Sequence, residues 1–164
     1  MKEEAGREAP KPARRGTFLT LAAVCAAVVL GFTALLTLSL RMPRPFSPAG
    51  CETQPPQGFL YDLPWRREAG RTVLEGWACV KEDSFKNVDI RAVVRTAAGD
   101  YYLLPTVLRE DETAKAAIGD VPFGEYGGFT AYLSGKAARG PVTCYLLYRC
   151  NGYDLLAETG VSIP

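Results

Sequence analysis

The sequence of 164 residues contains no histidine. That removes the side chain most often used as a general base near neutral pH and most often used to ligate metals. Net charge is also scarce, since 19 Lys and Arg stand against 18 Asp and Glu for a total of +1. A chain this close to neutral has no field with which to gather nucleic acid. Five cysteines are present, but no two stand in a C-x-x-C spacing, so no zinc-binding signature exists. Recognisable catalytic pairs are lacking too. Asp111 and Glu112 are adjacent carboxylates in a charged stretch and read as solvated, because hydrolytic pairs are defined by a separation in space that neighbours in sequence do not establish. Ser134 and Lys136 match no serine–lysine motif and fall in a Gly-containing turn. Gly124, Gly127 and Gly128 are followed by strand-like residues instead of the helix a phosphate cradle requires. The expectation is a protein that is no enzyme and uses no cofactor.

What is present is one long apolar run. Residues 17–40, TFLTLAAVCAAVVLGFTALLTLSL, carry no charge and no proline, and exceed the ~20 residues a bilayer-spanning helix needs. A cleaved secretory signal has a shorter apolar core and small residues at its end, whereas Arg41, Met42 and Pro43 follow this one. A lipoprotein signal ending at Cys51 lacks the expected leucine three places earlier and lies too far downstream. Lys2, Arg7, Lys11, Arg14 and Arg15 precede the run and only Arg41 and Arg44 closely follow it, which places the N-terminus inside and exports the rest. Ala23, Ala27 and Gly31 form a small-residue stripe of the kind that lets two such helices approach, and homodimerisation is one reading. Alanine is common in spans, and that plainer reading is preferred.

Domain organisation follows from composition. Residues 1–16 read as a polar cytoplasmic tail, 17–40 as the transmembrane helix, 41–57 as a Pro-rich linker holding the domain off the membrane, and 58–164 as an extracytoplasmic domain. A short edge strand is expected at Phe59–Leu63 and another strand at Thr72–Val80, whose parity does not choose a buried face. Val88, Ile90, Ala92 and Val94 alternate with Asp89, Arg91, Val93 and Arg95, and a turn at Ala98–Asp100 leads into a strand over Tyr101–Val107. Residues 109–117 suit a short helical turn, and Phe129–Leu133 a strand. Asn151-Gly152 between two apolar runs predicts a closing hairpin. The count gives an all-β antiparallel sandwich of about seven strands behind one N-terminal transmembrane helix.

Gly76-Trp77-Ala78, Ile90 to Arg95, Gly99-Asp100-Tyr101-Tyr102, Arg109-Glu110-Asp111, Gly128-Phe129 and Tyr145-Leu146-Leu147-Tyr148 together resemble a small immunoglobulin-like β-sandwich module. Similar modules occur on bacterial envelope membrane proteins, some of them glycosyltransferase-like. The resemblance covers residues 72–163 and implies a fold and a surface setting, with no catalytic residues.

Cys25 lies in the apolar run, and Cys51, Cys79, Cys144 and Cys150 lie on the exported side, where disulfides persist. If residues 144–150 form one strand, its two cysteines stand ~20 Å apart and cannot bond. Cys79 is then expected to bridge to Cys144 or Cys150, with Cys51 taking the other. Buried thiols kept reduced are the remaining reading. For function, a non-catalytic binding module of the cell envelope is preferred, using Tyr101, Tyr102, Tyr126, Tyr132 or Tyr153 as contact surface for a glycan or a membrane-protein partner. A hydrolase or glycosyl-transfer accessory protein of unfamiliar type is the alternative.

Overall fold

The structure is a computed structural model and describes residues 15–81, 88–118, 127–150 and 152–164. Gly124 and Tyr126, both singled out in the sequence, lie outside the described residues. The chain divides into two compact units, one up to Ser39 and one comprising Leu40–Pro164.

The described part of the first unit is helical. Helix α1, Arg15–Arg41, contains the stretch Phe18–Leu38, whose mean hydropathy is 2.5 and none of which is buried by protein. Its threonines hide their hydroxyls by donating to carbonyls one turn back: Thr20 to Gly16 at 3.0 Å, Thr33 to Val29 at 2.8 Å and Thr37 to Thr33 at 2.7 Å. Such internal satisfaction is what an apolar surrounding demands of a polar group.

The second unit is built from two antiparallel sheets. One has the order β1 (Arg44–Phe46), β6 (Tyr101–Leu103), β5 (Asp89–Thr96), β9 (Val142–Cys150), β10 (Tyr153–Ile163). The other has the order β2 (Phe59–Asp62), β4 (Arg71–Val80), β8 (Gly128–Leu133), β7 (Thr106–Arg109), with β3 (Trp65–Glu68) also paired to β4. A short helix, α2 (Glu112–Ile118), and a 3-10 turn at Gly135–Ala138 complete the described elements. The mostly antiparallel architecture expected from the sequence is present, with ten strands among the described residues in place of about seven.

Period-2 patterning explains the layers. Ile90, Ala92 and Val94 of β5 meet Cys144, Leu146 and Tyr148 of β9 and Leu74, Ala78, Phe129 and Ala131 of the second sheet in one core. The ambiguity in β4 resolves the same way: Leu74, Ala78 and Val80 join that core, while Trp77 and Cys79 form a separate cluster with Ala114 of α2. The strand expected to run from Tyr101 to Val107 is instead cut at Leu104–Pro105. Leu104 N–H still bonds Ala92 O at 2.9 Å, but Pro105 has no N–H to offer, and the chain leaves the first sheet to become β7 of the second.

The Pro-rich segment is no free spacer. Its residues Arg44–Phe46 form β1, paired to β6 with Arg44 opposite Leu103. From there the chain passes to the other edge of the same sheet, where Glu52 bridges Leu155 through two 2.8 Å bonds, Glu52 N–H to Asp154 O and Leu156 N–H to Glu52 O. On the way Phe46 and Cys51 pack against Val93, Tyr145, Leu147 and Leu156, which face away from the main core. This strap shields an apolar sheet face and closes an edge that would otherwise invite pairing.

Candidate interaction surface

The cysteines sit in three different layers. Cys144 and Cys150 belong to the main core, Cys79 to the cluster under α2 on the far face of the second sheet, and Cys51 to the strap over the far face of the first. No disulfide joins any of the five cysteines. The expected bridges from Cys79 and from Cys51 to Cys144 or Cys150 are therefore corrected: each would have to pass through a sheet. Burial pushes the Cys79 thiol up to about 11 and that of Cys144 up to about 12. Cys51 is also raised, first by burial and then by the negative charge of Asp154. Burial of this kind favours the protonated thiol and suits Cys79 and Cys144 to packing.

Asp111 has a structural task as well. Its Oδ1 accepts from Thr113 N–H at 2.9 Å and Ala114 N–H at 3.2 Å, the N-cap arrangement that starts α2, and its Oδ2 accepts from Arg109 Nη2 at 2.9 Å. Glu112 is exposed in the first turn of α2, where a carboxylate suits the helix dipole. Helix α2 covers Trp77, whose Nε1 is buried without a hydrogen-bond partner among the described residues. Ser134 lies just after β8, and Lys136 falls in the 3-10 turn.

The tyrosines separate by exposure. Tyr102 and Tyr153 pack against the main core, and Tyr153 lies 6.3 Å from the ring of Tyr148. Tyr101 leans edge-on against Tyr145 at 5.6 Å, with the Arg95 guanidinium 5.7 Å from its own ring centroid. Tyr132, at 39% exposure, is the one of the described candidates that stands out from the surface. Next to it, on the same face, the edge strand β7 exposes Val107 (62%). Arg71, Pro105, Ser134 and Arg41 line a shallow cleft with Val107 and Tyr132.

Neighbouring charge on this sheet is neutralised locally. Arg66 pairs with Glu75 and, at 3.1 Å, with Glu68. The hydrogen bond from Arg66 holds the Glu75 carboxyl below the ordinary carboxylate range. By contrast, Arg41 and Arg71 form no ion pair with any described residue. The sequence named Tyr132 but missed its apolar neighbour Val107, whose exposure depends on the sheet change at Pro105. Compared with known proteins, the chain matches no family model, no curated protein and no solved structure.

Proposed function

We propose that this chain is a single-pass membrane protein whose second unit is an extracytoplasmic, immunoglobulin-like β-sandwich serving as a non-catalytic binding module of the cell envelope. The observation that carries this reading is Phe18–Leu38, 21 residues of mean hydropathy 2.5 with no protein covering them. Left in water, such a surface costs about 25 cal/mol for every Å² of apolar area, and a bilayer removes that cost. The excess of Lys and Arg ahead of it supports an inside N-terminus.

Binding is supported over catalysis by how the chemically capable side chains are used. Asp111 caps a helix, Cys79 and Cys144 fill packed layers, and the cleft beside Tyr132 is lined by Val107, Pro105, Arg41, Arg71 and Ser134. Membranes washed with alkaline carbonate should retain the chain, and the mature protein should begin ahead of Thr17. Release into the wash, or a mature N-terminus at or beyond Leu40, would contradict the reading.

A further inference from the structure

We infer that the corner formed by Val107, Tyr132, Arg71 and Arg41 docks onto anionic phospholipid headgroups. The inference rests on the single-pass reading and gives its binding module a specific partner, the surface of the membrane that anchors it.

The first support is register. β1 runs antiparallel to β6 with Arg44 opposite Leu103, Pro45 opposite Tyr102 and Phe46 opposite Tyr101. Just ahead of this pairing, Arg41 lines one cleft with Pro105 and Val107. The chain therefore enters the second unit at the corner where β6 passes into β7. Only Met42 and Pro43 stand between the last residue of α1 and the first of β1, a tether of about 7 Å at ~3.5 Å per residue. The corner is thus joined to the apolar stretch through a covalent connection of two residues.

The second support is chemistry. Val107 is 62% exposed, Met42 57% and Tyr132 39%. Arg41 and Arg71 line the same cleft and make no ion pair among the described residues. Tyrosine beside aliphatic side chains and uncompensated cations is the combination favoured where hydrocarbon meets phosphate: the ring and aliphatics enter the boundary, and arginine bonds phosphate oxygens. The opposite edge of this sheet differs, since β3 carries Arg66 and Glu68 in a local charge network.

The test uses the full chain carrying Val107→Trp in a Trp65→Phe background, reconstituted into vesicles of phosphatidylcholine alone or with one quarter phosphatidylglycerol, with brominated or ordinary acyl chains. Brominated lipid should remove most of the emission added by the new tryptophan in the anionic vesicles and less of it in the neutral ones. Arg71→Glu should restore that emission with an unchanged melting temperature. Equal emission with brominated and ordinary lipid, in vesicles where flotation shows the chain inserted, would overturn the docking and leave the anchor intact. Failure to insert would overturn the single-pass reading and the docking with it. Protection that grows with protein-to-lipid ratio, accompanied by chemical cross-links between copies at this corner, would show a second chain covering the face and would also overturn the inference.

Discussion

The carbonyl oxygen of Asp62 passes so close to Gly76 that it leaves no room for a Cβ there. This approach lets β2 and β3 both pair with β4 although the chain breaks between them at Leu63–Pro64. Leu63 turns into the core at the break, and Glu75 N–H bonds Pro64 O at 3.0 Å. Because the obstructing atom belongs to the backbone, it has no rotamer into which to retreat. Gly76→Ala should therefore cost about 2–3 kcal/mol, measured by urea unfolding of the full chain in detergent. An unchanged midpoint would show that β2 and β3 are not held against β4 in this way.

Buried thiols give a pH dependence with a defined sign. Below pH 9 both folded and unfolded thiols are protonated, and the packing of Cys79 and Cys144 contributes fully. Above the ordinary value of 9.0 the unfolded thiols ionise, while the folded ones do so only near 11 and 12. Each thiol should remove roughly 1.4 kcal/mol of stability per pH unit across its window. Unfolding midpoints at pH 7, 9, 10 and 11 should fall only above 9, and Cys144→Ala should make that fall shallower. An identical pH profile in the variant would exclude the thiol as its source.

The strap predicts that the second unit needs residues 44–52. Removing everything before Gly58 uncovers Val93, Tyr145, Leu147 and Leu156 and frees the edges of β6 and β10. That fragment should bind a hydrophobic dye and associate, while a fragment beginning at Leu40 should remain monomeric. Phe46→Ala should cost about 1 kcal/mol, in keeping with a half-buried aromatic ring. Equal behaviour of the two fragments in ultracentrifugation would return the segment to the status of a spacer.

Loss of the N-cap should loosen α2. Asp111→Ala leaves Thr113 and Ala114 N–H without their acceptor, at a cost of about 1 kcal/mol. Because α2 covers Trp77, its emission should shift toward the red. Asp111→Asn keeps the capping oxygen and should restore the spectrum.

Much of the fold was written locally. Alternation over Ile90–Val94 and the Asn151-Gly152 step led to strands and a hairpin because each depends on neighbours a few residues away. Proline misled in the linker: Pro45 lies within β1, an edge strand, where a missing N–H on the open side costs nothing. Pro105 did carry a local signal, since it ends one strand and starts another, but which sheet receives the second strand is decided by long-range packing. The cysteines failed for a related reason. Cys79 shares the parity of Trp77, and only the placement of α2 fixes that parity as the face away from Cys144. The exposed corner at Val107 inherits the same dependence on topology.

The central claim, an anchored chain with an exported two-sheet unit, is tested most directly by protease added to intact spheroplasts of cells expressing the full chain with an epitope at each end. The account predicts that the C-terminal epitope is lost while the N-terminal epitope survives on a membrane-bound fragment. A C-terminal epitope protected in intact spheroplasts and lost only after lysis would contradict it.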